Sequence, residues 1–224
     1  MRRLPLLLSL PLAAVLMTAA AASAAGRPPE LAQAEEAAKK ALGVDCMMRD
    51  PEETPVVADG TEDEAGHTIY TITYRPSWYT PDQPDAQATL YKLLCSIGAY
   101  NLQFAFAIKT PDDEVPRLLS FARPELGLDY ADEEQTKLKS PPRITGYSAT
   151  AILVNARFDP ATKTITTRSL WRGIGDAWDH GTWTLKDDGF VLNRYEVNPT
   201  YDGFDAEKTD EGYVVLDLKE DTKR

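Results

Sequence analysis

Residues 100–109 have the sequence YNLQFAFAIK, in which the large apolar side chains fall at every second position. This two-residue period is that of a β-strand with one face in a hydrophobic core. Between the large side chains lie small or polar ones, which would form the opposite face. The side chains predicted to enter the core are those of Tyr100, Leu102, Phe104, Phe106 and Ile108.

Further runs with strand character occur on both sides of this stretch, separated by residues typical of turns. Residues 96–98 would join the strand to a preceding one, residues 159–162 form a second turn, and Asp187-Asp188-Gly189 forms a third. We predict a mainly-β fold, an antiparallel meander that curls into a sandwich or partial barrel. The pattern predicts no secondary structure for the acidic, proline-containing residues 111–142. The predicted strands lie at 67–75, 89–95, 100–109, 148–158, 164–171, 182–186, 190–195 and 213–218.

One helix is predicted at residues 28–43, ahead of the strands. Pro28 and Pro29 suit a helix start, and Gly43 suits a C-terminal cap. We therefore expect a single β-rich domain over 26–224, with the helix at 28–43 and the strands in 67–110 and 144–218. The apolar face of the helix would carry Leu31, Ala34, Ala38, Ala41 and Leu42.

Residues 1–25 have the pattern of a signal peptide. A basic start precedes an uncharged apolar stretch and an alanine-rich end, and cleavage after Ala24 or after Ala25 fits equally well. The competing interpretation is a retained membrane anchor, which two prolines in the apolar stretch disfavour. We expect a bacterial protein of the periplasm or the medium, without a membrane anchor after cleavage.

The chain is acidic, with a formal net charge of −11 over 224 residues. Removal of the expected leader takes away two arginines and no acid, which leaves a net charge of −13. This balance excludes a basic nucleic-acid interface, so we expect no nucleic-acid partner. The charge has two interpretations: it keeps an exported protein soluble, or it attracts a cationic partner.

Cys46 and Cys95 are the only cysteines of the chain. An even pair in an exported protein favours a disulfide. A free or catalytic thiol and a metal site are the alternatives, although the spacing matches neither a C-x-x-C motif nor a usual zinc set.

The densest group of polar and aromatic residues lies at 171–181, WRGIGDAWDHG. As a catalytic set, Asp176 or Asp179 would orient His180 as an acid or base, and Arg172 would hold an anion. The alternative is a long hairpin connection in which the arginine pairs with an aspartate. Candidate ligand-binding residues are Arg172, Trp178 and Trp183, the two tryptophans as platforms for a sugar.

No sequence motif for a cofactor or a dedicated metal site is found. Gly173-x-Gly175 lacks the third glycine of a phosphate-binding loop. The acidic clusters at 112–114, 132–134 and 202–207 lack the alternating spacing of a calcium loop, which favours solvated loops. We expect no cofactor and no bound metal.

Three short motifs resemble those of domain-of-unknown-function family 1176, a group of exported bacterial proteins. They are C-x-x-G-A-Y-N at 95–101, N-x-x-F-D at 155–159 and R-G-x-G-D at 172–176. The likeness spans roughly 88–195, the C-terminal half of the family pattern. It implies export and a family-wide shape for the 172–176 loop, and it leaves activity open.

The chain departs from the family pattern in its cysteines. Ala177 stands where the family has a cysteine, and the chain has fewer cysteines than its relatives. Because these cysteines are missing here, the resemblance implies that Cys95 pairs with Cys46.

These observations support three hypotheses about function. The leading one is a non-enzymatic envelope protein that binds a ligand or a protein, with a cationic envelope protein or a carbohydrate as the partner. The second is a hydrolase that acts on cell-wall or carbohydrate material through residues 171–181. The third is a structural or stress-related envelope component.

Overall fold

The computed structural model describes residues 27–58, 60–61, 65–203 and 211–218. The expected signal peptide, residues 1–25, lies outside the described residues. One helix, α1 (Pro29–Leu42), is followed by a 3-10 turn at Gly43–Asp45. The strands are β1 (Val56–Val57), β2 (His67–Tyr74), β3 (Ala86–Ile97), β4 (Leu102–Lys109), β5 (Arg117–Leu118), β6 (Phe121–Gly127), β7 (Arg143–Thr150), β8 (Ile152–Val154), β9 (Arg157–Asp159), β10 (Thr164–Thr166), β11 (Ser169–Leu170), β12 (Trp178–Lys186), β13 (Gly189–Asn198) and β14 (Tyr213–Asp217).

The strands form two main sheets and a two-stranded ribbon. The first sheet has the order β1-β2-β3-β4-β5, with β8 also paired to β4. The second has the order β14-β13-β12-β10-β9, with β11 paired to β12, and the ribbon consists of β6 and β7. Every pair is antiparallel except β1 with β2. The prediction of a mainly-β fold is confirmed, and its form is sandwich-like sheets that do not close into a barrel.

Strand β4 is buried on both faces, which makes it the centre of the fold. Phe104 and Phe106 belong to the core between the two sheets, where Trp183 and Phe190 of the second sheet also lie. On its other face, the small side chains of Ala105 and Ala107 belong to a second cluster with α1. The alternation in β4 therefore gives the strand two buried faces. One face carries large side chains, and the other carries small side chains that leave room for the helix.

Helix α1 packs on the first sheet through the face predicted for it. Leu31, Ala34 and Ala38 are fully buried in the cluster with β3 and β4, whereas Ala41 is exposed. The Cys46–Cys95 disulfide links the segment after the helix to β3, as the cysteine pair predicted.

A buried polar network also holds the helix to the sheet. The Nδ1 atom of His67 accepts a hydrogen bond from the Leu94 N–H at 2.9 Å, so the proton of the neutral ring lies on Nε2. That Nε2 is 3.2 Å from the Glu35 carboxylate of α1, which also pairs with Arg27. Hydrogen bonds from His67 and Arg27 outweigh the effect of burial and lower the pKa of Glu35.

The structure corrects several of the predicted boundaries. The predicted strand at 164–171 is divided into β10 and β11, and the one predicted at 89–95 extends over 86–97 as β3. The predicted strand at 148–158 is divided among β7, β8 and β9. Between β8 and β9, Asn155 takes a left-handed φ of 48°, which does not continue a strand. The unassigned region 111–142 contains β5 and β6. Residues 178–181, predicted as part of a long connection, are the first residues of β12.

Candidate functional site

Two asparagine side chains join three segments that are distant in sequence. Oδ1 of Asn155 accepts a hydrogen bond from the Leu102 N–H at 2.7 Å, and Nδ2 of Asn155 donates to Oδ1 of Asn101 at 2.9 Å. Nδ2 of Asn155 also lies 2.8 Å from the carbonyl oxygen of Arg168, while Asn101 bonds both the N–H and the carbonyl of Leu170. Residues 98–101, 155 and 168–173 thus form one unit, which we call the motif platform.

Tyr100 lies on this platform against the backbone of the R-G-x-G-D motif. A Cβ atom built on Gly173 would be 3.1 Å from Cδ1 of Tyr100, a tight contact that a small shift of the ring would relieve. The tyrosine ring thus packs closely on the backbone of Gly173. The prediction that Tyr100 enters the core is wrong, because the residue precedes β4 and its side chain is 46% exposed.

Arg172 and Asp176 form a closed ion pair within the third motif. The guanidinium donates through both Nε, at 2.7 Å, and a terminal nitrogen to the two carboxylate oxygens. Asp176 also accepts the N–H groups of Ala177 and Gly203, each at 3.0 Å. The hydrogen bonds from Arg172 hold the pKa of Asp176 at about 2, against burial, which would raise it. Both side chains therefore stabilise the conformation of the loop.

Asp179 is buried on β12 and is held by two aromatic residues. Trp171 Nε1 donates to its Oδ2 at 2.7 Å, and the Tyr195 hydroxyl donates to its Oδ1 at 2.8 Å. The Arg123 guanidinium lies 3.9 Å from Oδ2. Burial raises the pKa of the Tyr195 hydroxyl, and the Asp179 carboxylate adds to the rise. The indole of Trp171 and the phenol of Tyr195 thus each donate a hydrogen bond to one oxygen of the Asp179 side chain.

His180 points away from Asp179, because successive side chains of a strand face opposite sides of the sheet. Its Nδ1 is 3.9 Å from a carboxylate oxygen of Glu196, and its buried Nε2 has no hydrogen-bond partner. Burial lowers the pKa of His180, although the carboxylate of Glu196 opposes this shift. The structure thus does not bring Asp176, Asp179 and His180 together around one reacting atom.

The two candidate tryptophans are each only 2% exposed. The Arg168 guanidinium covers Trp178 at 4.5 Å from the ring. The indole N–H of Trp183 donates to the carbonyl of Ala122 at 2.9 Å, and a Cβ at Gly181 would be 2.1 Å from the same indole. Neither ring presents an open face on which a sugar could stack.

The motif platform forms one wall of a cavity of about 250 Å³, which we call the motif cavity. Tyr100 comes from the first motif, and Asn155, Ala156 and Arg157 come from the second. The opposite wall belongs to strands of the first sheet. The full lining is Lys92, Tyr100, Leu102, Phe104, Asn155, Ala156 and Arg157.

Lys92 is the residue of this cavity that sequence reasoning missed. It is 1% exposed, and its Nζ lies 4.1 Å from the centre of the Phe104 ring. The signal was present in the sequence, since Lys92 is the only charged residue in the apolar strand predicted at 89–95. A charge in the middle of such a run is rarely buried without a partner or a task.

A second, smaller cavity lies where both sheets meet the ribbon. Its volume is about 40 Å³, enough for a water molecule or a small group. Asp179, Trp183, Tyr195 and Arg123 are in its lining. Two of the predicted site residues thus share this cavity, but its size suits structural water better than an organic ligand.

Asp113 and Asp132, from two of the three acidic clusters, cap turns, and residues 204–207 of the third cluster lie outside the described residues. Asp113 accepts the N–H and hydroxyl of Thr110, and Asp132 does the same for Thr136. Over the described ranges, no group of three or more histidine, cysteine or acidic side chains is arranged to hold a metal ion. No helix there is long and apolar enough to cross a bilayer.

Comparison with known proteins gives one match. The model of a family described as "Protein of unknown function (DUF1176)" matches residues 17–215. This is a longer region than the three motifs cover. No curated protein and no solved structure matches the chain.

Proposed function

The chain belongs to the DUF1176 family of proteins of unknown function, and we propose that it is a non-enzymatic binding protein that takes up a small molecule in the motif cavity. The observation that carries this proposal is the convergence of the family-like motifs. The first and second motifs are separated by more than fifty residues of sequence, yet they meet through Asn101 and Asn155, and both contribute residues to the lining of the cavity. A rigid, preformed cavity with a few polar groups is the usual form of a ligand site.

The surroundings of the candidate catalytic residues favour binding over hydrolysis. Asp176 is saturated by Arg172 and two backbone N–H groups, and Asp179 by Trp171 and Tyr195. A general acid or base needs access to the proton that it transfers. The contacts of both carboxylates instead support structural roles.

Export to the cell envelope is part of the proposal. It is supported by the signal-peptide pattern of residues 1–25 and by the Cys46–Cys95 disulfide, because disulfides persist in oxidising compartments. Fractionation of bacteria that express the full chain tests it: the protein should appear in the periplasm or medium, shortened to start at Ala25 or Gly26.

The binding proposal is tested with a low-molecular-mass extract of the bacterial envelope. Native mass spectrometry of the purified protein should show an added mass after incubation with the extract. Ala156→Leu, which fills the cavity wall at a buried site, should abolish the adduct. The matched control Ala149→Leu changes an exposed position on β7 and should retain it.

Two outcomes would overturn the proposal. One is the absence of any adduct with the wild-type protein, and the other is equal binding by both leucine variants with native near-ultraviolet circular dichroism. A salt-sensitive complex with a cationic envelope protein, without any small-molecule adduct, would favour the acidic surface as the binding site instead.

A further inference from the structure

We propose that the outer edge of β7 is the surface through which two copies of the chain pair, antiparallel and edge to edge, into a two-fold dimer. The strands at the ends of the two main sheets have two to five residues, whereas β7 has eight. In the described part of the chain β7 pairs only with β6, so its other edge offers backbone groups to a further strand. Pairing at this edge does not require the ligand of the motif cavity.

Contacts of β6 show which residues of β7 have backbone groups directed to this edge. The carbonyl of Ala122 accepts the indole N–H of Trp183 at 2.9 Å, and Pro124 has no N–H to donate. Alternate residues of an antiparallel strand bond its neighbour, so these two positions of β6 are turned away from β7. Their partners in the register are Ala149 and Tyr147, whose N–H and C=O groups are therefore directed away from β6.

The outer edge is self-complementary over residues 146–150. The bulge in the ribbon leaves Thr145 as the extra residue of β7, so the edge is regular from the next position on. With Ser148 opposite Ser148 of the second copy, Tyr147 of each copy lies opposite Ala149 of the other, and both pairs exchange backbone hydrogen bonds. The product is a continuous sheet of four strands, which is more stable than a two-stranded ribbon.

The sequence of β7 has few of the features that protect natural edge strands from such pairing. Those features include charged side chains, proline and bulges. Residues 143–150, RITGYSAT, contain no proline and one charge, that of Arg143 at the first position. The bulge at Thr145 lies outside the pairing segment. Within that segment Tyr147 is 58% exposed, and Ala149 is also exposed.

A groove of about 380 Å³ beside the end of β7 adds apolar and charged contacts to the pairing. Thr150 lines it together with Val44 and Met47, which are 82% and 70% exposed, and with Asp45. In the antiparallel pair, the residues of the second copy that precede its pairing segment continue over this groove. Arg143 of the second copy then lies beside Asp45, and two-fold symmetry repeats the contact. Both of these charged residues are exposed.

The charge of the chain favours a contact through this segment over one between acidic surfaces. The net charge of −11 on each copy opposes association in general. Residues 135–158, which include β7, contain four basic residues and no acidic one. Pairing through β7 therefore keeps acidic segments of the two copies from lying opposite each other along the shared edge, and it places Arg143 of each copy next to an acid of the other.

Sedimentation velocity measures the dimer directly. Stable interfaces bury about 1,200–2,000 Å², which is more than a short strand pair provides, so we expect a dissociation constant on the order of 100 μM. The wild-type protein should change from monomer to dimer between about 10 μM and 1 mM, in about 0.15 M salt to screen the net charge.

Two charge reversals test the predicted register. Arg143→Glu and Asp45→Arg each bring like charges together in their own dimers, and each should weaken self-association at least about fivefold. An equal mixture of the two variants should form a heterodimer as strong as the wild-type dimer, because both contacts then join opposite charges. The matched control Asp82→Arg has the same change of charge at an exposed position between β2 and β3, and it should not restore association of Arg143→Glu.

A cysteine at the two-fold axis tests the strand pairing itself. Residues that are directly opposite without exchanging hydrogen bonds have Cα atoms about 4.5 Å apart, which a disulfide can span. Ser148→Cys should therefore form a covalent dimer under mild oxidation. Ser77→Cys, at an exposed serine between β2 and β3, should remain mostly monomeric. The native cysteines are bonded to each other and leave no competing thiol.

Three outcomes would overturn the proposal. The first is a wild-type protein that stays monomeric at about 1 mM while Ser148→Cys does not cross-link. The second is a dimer that neither Arg143→Glu nor Asp45→Arg weakens, since the copies would then meet at another surface. The third is pairing of β7 with a different protein without any dimer of the chain itself. None of these results depends on the small-molecule adduct that tests the proposed function.

Discussion

Replacement of Asn155 by alanine should destabilise the protein more than any other single change in the motif platform. The side chain accepts the Leu102 N–H and donates to Asn101 and to the carbonyl of Arg168. It also stands at a φ of 48°, a conformation that alanine adopts only with strain. Asn155→Ala therefore removes the connection between the segments and introduces a backbone penalty.

The magnitude follows from these two effects. A partly buried N–H left without its acceptor costs about 1–3 kcal/mol, and a left-handed φ costs alanine about 1–2 kcal/mol. We expect Asn155→Ala to lower the free energy of unfolding by about 3 kcal/mol. Asn155→Gly loses the same hydrogen bonds without the backbone strain, so its loss should be about 2 kcal/mol.

Urea unfolding followed by tryptophan fluorescence, with the disulfide intact, measures both losses. The slope of the free energy against urea should stay constant, since the folded and unfolded states remain the same. Asn101→Ala serves as the coupled partner, and the double variant should lose at least about 0.5 kcal/mol less than the sum of the single losses. Additive effects, or a loss below about 1 kcal/mol for Asn155→Ala, would show that the asparagines do not hold the segments together.

Three further predictions concern other parts of the fold. Reduction of the Cys46–Cys95 disulfide should lower the free energy of unfolding by about 4 kcal/mol, which urea unfolding with and without reductant measures. A Cys46→Ser/Cys95→Ser variant with the same free energy of unfolding as the oxidised wild type would contradict this prediction. The stabilising effect of the Asp176 carboxylate should be complete above the ordinary aspartate pKa of about 4 and should be lost as the pH falls through about 2. The free energies of unfolding of the wild type and of Asp176→Asn should therefore converge in acid. A difference that persists when Asp176 is protonated would exclude the ion pair as its source. Nuclear magnetic resonance should give His180 a pKa below the ordinary histidine value of 6.5. Because the unfolded chain then binds the proton more tightly, the free energy of unfolding should rise as the pH rises from the folded-state pKa to 6.5. A measured pKa above 6.5 would mean that the carboxylate of Glu196 outweighs burial.

Local patterns in the sequence were sufficient for the fold class. The alternation at 100–109 predicts β4, the prolines and Gly43 predict α1, and Asp187-Asp188-Gly189 predicts the hairpin of β12 and β13. These features depend on neighbouring residues, because strand alternation, helix ends and tight turns are set by the backbone angles of a few consecutive positions. The cysteine pair likewise predicted the disulfide, since each cysteine had a single possible partner.

The candidate site was only partly predictable. The Arg172–Asp176 pair was one of two interpretations of residues 171–181, but the strand character of residues 178–181 was missed. That region is interrupted by glycines and polar residues, and its membership of β12 comes from pairing with β13, which lies further along the chain. Once the strand is known, the separation of Asp179 from His180 follows from alternation alone.

The sequence by itself determined an acidic chain with a mainly-β fold, one helix, a disulfide and three family-like motifs. Only the tertiary structure decided that these motifs meet at one platform and that Lys92 lies in the cavity beside them. The reason is physical: the hydrogen bonds of Asn101 with Asn155 and with Leu170 join residues that are 54 and 69 positions apart in the chain. Such contacts depend on how the two sheets stack, which no local pattern of residues specifies.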